Sequence, residues 1–210
     1  MNQQTHKVPV PTLERMARYL ACLLDLDAGG VETISSADME GYTNINAAQF
    51  RKDLSYFGEF GRPGIGYGVP ELTRRIGRIL KVDREQPVLL IGAGNLGSAL
   101  AGYPSLSRAH FRIAAVFDNN PGKIGAKLWG VDIYAIDRIE EINTASIGAR
   151  IAIIAVPAVA GQFVADKVVA CGITVILNFA PVSLRVPNDI TVRNVDFVQE
   201  LAVLSYHLAG

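Results

Sequence analysis

Gly92, Gly94 and Gly97 stand in the order G-x-G-x-x-G within "VLLIGAGNLGSALAGY". Glycines at this spacing suit the close approach of a phosphorylated ligand. The first permits a tight turn, the second lets the main chain come near a pyrophosphate, and the third lets a helix pack closely on the preceding strand. Ala93, Asn95 and Leu96 fill the positions between and beside them. The apolar run before the glycines and the helix-forming run after them predict strand, turn and helix, with N–H groups at the helix start available to phosphates. Asp118 ends the next apolar run, "FRIAAVFD". A carboxylate about 20 residues beyond the last glycine accepts hydrogen bonds from the hydroxyls of an adenine ribose and repels a 2′-phosphate, so NAD(H) is expected over NADP(H). Lys123 follows close behind it.

Hydride transfer needs a proton donor or acceptor beside the nicotinamide. His6, His110 and His207 all lie away from the carboxyl ends of the predicted strands, and Tyr103 reads as a packing or hydrogen-bonding residue. The fourth and fifth strand ends, "AVPA" (with Ala155 and Pro157) and "NFAP", are apolar and uncharged. A neutral dihydronicotinamide suits such a pocket better than the cationic oxidised ring, because burying an unpaired charge is costly. An NAD-dependent dehydrogenase stands as one alternative. A CoA-binding protein, suggested by the "NFAP" turn, stands as another; Asp118 opposes it, because CoA carries a phosphate on its ribose.

A second group of candidate residues precedes the glycines in "INAAQFRKDLSYFGEFGRPGIGYG". Asn46 can cap a helix in which Ala47, Phe50, Leu54 and Phe57 share an apolar face. Ala48, Lys52, Ser55 and Tyr56 lie opposite, with Arg51 on the flank. Ser35 or Ser36 can cap a shorter helix before the turn "GYTN". Two short helices around a tight turn, the second offering basic and polar groups, form a helix-turn-helix pattern. Pro63-Gly64 suits the centre of a type II turn, so two strands joined there predict a β-hairpin wing. Charge agrees: residues 51–80 hold six basic and three acidic residues, whereas residues 1–50 hold three basic and six acidic.

These groups need two scaffolds. Residues 1–80 are predicted to form a DNA-binding domain. Its first helix has Thr12 as N-cap and Leu13, Met16, Ala17, Leu20, Leu23 and Leu24 inward. A helix begun by Pro70 closes it. Residues 81–87 read as a linker. Residues 88–195 carry apolar runs at 88–91, 111–117, 131–134, 151–156, 173–178 and 190–194, mostly continuous, as for parallel strands covered on both faces. They predict an α/β doubly wound sheet of Rossmann type. Residues 196–210 form an amphipathic helix with Phe197, Leu201, Leu204 and Leu208 in a stripe. The whole has 210 residues, half of them hydrophobic, with no net charge. Cys22 and Cys171 are too few and too far apart for a disulfide framework or zinc site, the opening "MNQQTHKVPVP" lacks the apolar core of a signal peptide, and no apolar run reaches membrane-spanning length. A reducing cytoplasm is expected, without membrane or metal.

Residues 12–210 resemble the Rex family of bacterial redox-sensing transcriptional repressors. The likeness lies in "AAQFRKDLSYFGEFG", "GIGYG", "GAGNLGSALAGY", "FDNNPGKIG" and "NVDFVQELAVLSYHL". It implies an N-terminal winged helix, a Rossmann domain that binds NADH with NAD⁺ as a weaker competitor, and a homodimer with its last helix exchanged between subunits. It further implies palindromic operator DNA that is released when NADH binds. By position it assigns Gln49, Arg51, Lys52, Ser55 and Tyr56, beside the capping Asn46, to a recognition helix, and Arg62, Gly64 and Tyr67 to a wing. It assigns Gly92, Gly94, Gly97 and Asp118 to the NADH site, with Tyr103 and Phe197 near the nicotinamide. Arg15, Tyr103 and Asp196 match positions that link the domains in one state. Pro63 and the turn "MEGYTNIN" depart from the family pattern.

Overall fold

The computed structural model describes residues 8–61 and 65–208. The chain divides into two compact units, residues 1–84 and 85–210.

The first unit contains α1 (Val10–Ala28), β1 (Thr33–Ile34), α2 (Ser36–Thr43), α3 (Ala47–Ser55), β2 (Tyr67–Gly68) and α4 (Val69–Ile79). Helix α1 begins two residues earlier than its expected cap. Pro9 is the N-cap, and Pro11 sits in the first turn, where a missing N–H costs nothing. Thr12 is therefore inside the helix and buried. The buried face shifts with it, running through Met16, Tyr19, Leu20, Leu23 and Leu26 and leaving Leu13 and Ala17 exposed.

Local capping fixes the next two helices. The Ser35 hydroxyl accepts from the Asp38 N–H, and the Asp38 carboxylate accepts from the Ser35 N–H, a reciprocal capping box. Asn44, in the left-handed region at φ 55°, ends α2. The Asn46 side chain then accepts from the Gln49 N–H at 2.8 Å and starts α3. The Glu40 carboxylate takes the Ala47 N–H at 2.9 Å. Phe50, fully buried, meets Tyr19 and Tyr67 edge-on, with ring centroids 4.8 and 5.3 Å away. Burying such a ring is worth about 1.5–3 kcal/mol.

Strand β2 is the described part of the expected wing. Strand β2 pairs antiparallel with β1, Thr33 opposite Gly68 and Ile34 opposite Tyr67. Among the described residues between α3 and β2 there is no partner strand. Gly58 and Gly61 take positive φ there, at 110° and 73°. Arg62, Pro63 and Gly64, and with them the wing-tip expectations, lie outside the described residues, as does His6.

The second unit runs β3 (Gln86–Ile91), α5 (Asn95–Ala101), α6 (Pro104–Arg108), β4 (Phe111–Asp118), β5 (Lys127–Leu128), β6 (Val131–Ala135), α7 (Ile139–Ile142), β7 (Ile151–Ile154), α8 (Ala158–Ala170), β8 (Val175–Asn178), β9 (Thr191–Asn194) and α9 (Phe197–Ser205). Among the described residues the sheet has the order β5-β6-β4-β3-β7-β8-β9. All pairs are parallel except β5 with β6. Without β5, this is the doubly wound Rossmann order, reversing direction between β3 and β7. Along β3, Leu89 and Ile91 join one core while Val88 and Leu90 join the other, which is why the run is continuously apolar. The edge strand β5 has no counterpart in the sequence expectation: it is two residues long, turning into β6 through Trp129 and Gly130, both at positive φ. The sheet also begins inside the expected linker, at Gln86, and β7 stops at Ile154, before the expected 156.

Candidate cofactor cleft and nucleic-acid interface

The reversal of strand order between β3 and β7 opens a cleft of ≈ 390 Å³. Gly92 and Gly94 from the β3 turn, Asp118 to Asn120 and Lys123 after β4, and Ala155 to Pro157 after β7 line it. Val159, Ala160 and Phe163 of α8 form its apolar wall.

The three glycines are required for different reasons. A Cβ on Gly92, whose φ is 105°, would lie 2.3 Å from the Ala155 carbonyl oxygen, and one on Gly97 would lie 1.9 Å from that of Gly92. Those two hold the turn and the helix packing. A Cβ on Gly94 would meet nothing within 4 Å, and Gly94 faces the cleft. Protein packing does not demand glycine there. Ala93 is buried behind the loop, while Asn95 and Leu96 open α5, where no side chain caps the helix.

Asp118 sits at the cleft edge. Its carboxylate accepts from the Ala93 N–H and the Asn120 N–H, each at 2.8 Å. The Lys123 ammonium donates to the Ala93 carbonyl at 3.0 Å and lies 3.5 Å from the carboxylate. Burial pushes the Asp118 carboxyl up, but the two amide hydrogen bonds and Lys123 outweigh it, and the group is held below the ordinary carboxylate range. It is thus an anion tied to the glycine loop, fit to accept ribose hydroxyls and to repel a ribose phosphate. Asp118→Asn removes the repelling charge. Its expected outcome is weaker NADH binding by about tenfold and a smaller preference over NADPH, both read by nicotinamide fluorescence.

The remaining expected cofactor residues are placed differently. Tyr103 is the exposed residue between α5 and α6, outside the cleft lining. Phe197, at the start of α9, is exposed and lies 6.2 Å from the Phe179 ring. Asp196 caps α9, accepting from the Val198 and Gln199 N–H groups. Asn120, Val159 and Phe163 were not anticipated. Asn120 had a signal in "FDNN"; the two apolar residues had none, since they are ordinary positions of a helix.

On the first unit, α3 presents Arg51, Lys52, Ser55 and Tyr56 to solvent. Arg51 donates to the Ser36 hydroxyl at 2.7 Å, which ties α3 to α2. Asn46 is exposed but works as the helix cap, and the half-buried Gln49 amide donates to Asp53 at 2.8 Å. Tyr67 turns its ring onto Phe50, so its body belongs to the core. Arg15 engages Asp53 within the first unit, its Nε 2.6 Å from one carboxylate oxygen and its Nη2 2.7 Å from the other. Asp53 is fully buried and was not anticipated. Burial pushes its carboxyl up, but hydrogen bonds from Arg15, Gln49 and Tyr19 outweigh this and hold it below the usual range. No group of described residues could hold a metal ion, and no described helix is long and apolar enough to cross a membrane.

Comparison with known proteins covers both units. A family described as "Putative DNA-binding protein N-terminus" matches residues 7–55, and one described as "CoA binding domain" matches residues 83–182. The redox-sensing transcriptional repressor Rex of Desulfitobacterium hafniense is 43% identical over 205 residues, covering 98% of this chain and 97% of the relative. The chain belongs to the Rex family of redox-sensing transcriptional repressors. Rex of Pelotomaculum thermopropionicum is 44% identical, covering 96% of this chain and 94% of the relative. Among solved structures, the Rex-family repressor RSP in complex with β-NAD⁺ and operator DNA matches with a TM-score of 0.88 at 35% identity, covering 96% of this chain and 92% of that one. RSP with β-NADH matches with a TM-score of 0.84 at 33% identity, covering 97% and 95%. These Rex proteins are named as repressors, not enzymes. The wing and sheet described above are thus those of a winged-helix and Rossmann repressor.

Proposed function

We propose that this chain is a transcriptional repressor that holds operator DNA through α3 and its wing and releases it when NADH fills the β3–β7 cleft. One observation carries the reading: near-full-length likeness to a repressor solved with operator DNA and NAD⁺ and again with NADH, in a chain whose Gly94 faces open space and whose Asp118 is anionic. Arg51 and Lys52 meet guanine edges or phosphates, and Ser55 and Tyr56 meet phosphates. Gly92, Gly94 and Gly97 admit the pyrophosphate, and Asp118 holds the adenine ribose. Ala155, Val156 and Pro157 offer the nicotinamide an apolar surface, which favours the uncharged reduced ring.

Release is a difference of affinities. Moving the protein from 99:1 to 1:99 in favour of the released state requires about 5.5 kcal/mol of preference, shared between two sites in a dimer. DNA must weaken NADH binding by the same factor. The chain acts in the cytoplasm, where Cys22 and Cys171 remain thiols.

The dimer is built through α9. No described residue of that helix is buried; its Phe197, Leu201 and Leu204 are more than half exposed, as is Leu208, which lies past the helix end at Ser205 and so outside the helix expected to reach it. A second copy would cover them, and a two-fold dimer implies a palindromic site. Removing residues 196–210 is expected to turn a sedimenting dimer into a monomer in analytical ultracentrifugation.

Titrating NADH, NAD⁺ and CoA against the protein, with intrinsic and nicotinamide fluorescence as readouts, tests the cofactor reading. Tight NADH binding, weaker NAD⁺ binding and no turnover are expected. Preferential CoA binding, or steady oxidation of NADH with a small carbonyl substrate, would favour one of the alternative readings instead.

A further inference from the structure

Asp53 is 0% exposed, yet it belongs to the helix that faces solvent with Arg51, Lys52, Ser55 and Tyr56. Helix α1 supplies three of its donors from one face: Thr12 at 3.4 Å, Arg15 at 2.6 and 2.7 Å, and Tyr19 at 2.9 Å. Gln49 supplies the fourth from one turn earlier on α3, at 2.8 Å. Both carboxylate oxygens are engaged, and Arg15 grips them as a fork.

Stability alone does not call for this arrangement. A buried ion pair is often no better than well-packed apolar side chains of the same volume. Apolar packing between α1 and α3, such as Tyr19 against Phe50, restrains roll, but less sharply than a bond that depends on direction. A forked guanidinium–carboxylate pair fixes both distance and angle. Helix α3 is only nine residues long, and each residue advances it by 100°, so a small roll swings every exposed side chain.

We infer that Asp53 is a positioning residue for DNA recognition, fixing the roll of α3 on α1 so that Arg51 and Lys52 reach base edges in register. The inference rests on the reading of α3 as the DNA-contacting helix. It gives Gln49 a role in the lock, with its amide nitrogen spent on Asp53. A loosened α3 keeps its positive charge, so it still holds phosphates but discriminates poorly among sequences.

The test uses the full chain, a duplex that the wild-type chain selects from a random pool, and a scrambled duplex of equal length. Affinities come from fluorescence anisotropy across a salt series. Asp53→Asn is expected to lower selected-over-scrambled discrimination about tenfold. Affinity for the scrambled duplex, its salt slope and NADH affinity should stay within about twofold. Tyr19→Phe, which removes one donor, and Arg15→Lys, which keeps the charge but loses the fork, should shift discrimination the same way by smaller factors. Wild-type discrimination in a folded Asp53→Asn protein overturns the inference. So does an equal loss on both duplexes that tracks a fall in melting temperature, as a purely structural role would give. If Asp53→Asn does not fold, the two milder variants decide: wild-type discrimination in both overturns the inference. A wild-type chain that selects no duplex sinks the DNA reading and this inference with it. A chain that selects one while Asp53→Asn matches it sinks the inference alone.

Discussion

Gly94→Val is expected to stay bound to operator DNA at NADH concentrations that release the wild-type protein. The three cleft glycines differ in what a side chain would meet. At Gly92 and Gly97 a new Cβ collides with backbone oxygens at 2.3 and 1.9 Å, so those variants damage the fold itself. At Gly94 it meets nothing within 4 Å beyond its own chain neighbours, and φ is −79°, which any residue adopts. Valine there costs the protein about 1 kcal/mol as an inferior cap. It places methyl groups where the pyrophosphate must approach. NADH affinity should fall by roughly a hundredfold or more, which is about 2.7 kcal/mol or more. DNA affinity without NADH should match the wild type. Fluorescence titration and DNA anisotropy on the same preparation check both halves. A Gly94→Val protein released by NADH at wild-type concentrations would contradict the placement of the pyrophosphate.

The double variant Arg51→Ala, Lys52→Ala is expected to show the reverse pattern, with NADH binding intact and operator binding lost. Both side chains are exposed on α3, so the core around Phe50 and Leu54 is untouched. Arg51 also donates to the Ser36 hydroxyl, so part of its loss loosens α3 from α2. Each basic contact to a base edge is worth about 1–3 kcal/mol, so the pair together should cost about 2–6 kcal/mol. If both contacts are to phosphates, the salt slope of binding falls by about two and the loss is uniform across sequences. If one reads guanine, specificity falls at one position per half-site. Unchanged operator affinity in this variant would move the interface away from α3.

Much of the cleft was legible because its signals are local. The glycine spacing, the strand before it and the acid at the end of the next strand all lie within about 30 residues, and short-range rules govern them. The apolar face of α3 and the Ser35 and Asn46 caps were legible for the same reason. The failures are non-local. Asp53, an acid four residues after Gln49, reads as a solvated charge until α1, 34 to 41 residues earlier, brings its three donors. The pairing of β2 with β1, more than 30 residues back, was likewise out of reach of local signals. Thr12 looked like a cap because threonine favours that position, whereas Pro9 caps the helix, Pro11 sits in its first turn and the Thr12 hydroxyl is buried against Asp53. Phe163 and Val159 carry no sign of the cleft they line, since its position depends on where α8 lands after β7.

The central claim is that NADH and operator DNA oppose one another on this chain. The most direct test is fluorescence anisotropy of a labelled palindromic duplex, selected by the chain itself, with NADH or NAD⁺ added at fixed ionic strength. The account predicts full release at saturating NADH, little or no release by NAD⁺ alone, and a rightward shift of the NADH curve when NAD⁺ is present. Operator binding that stays unchanged at saturating NADH would contradict it.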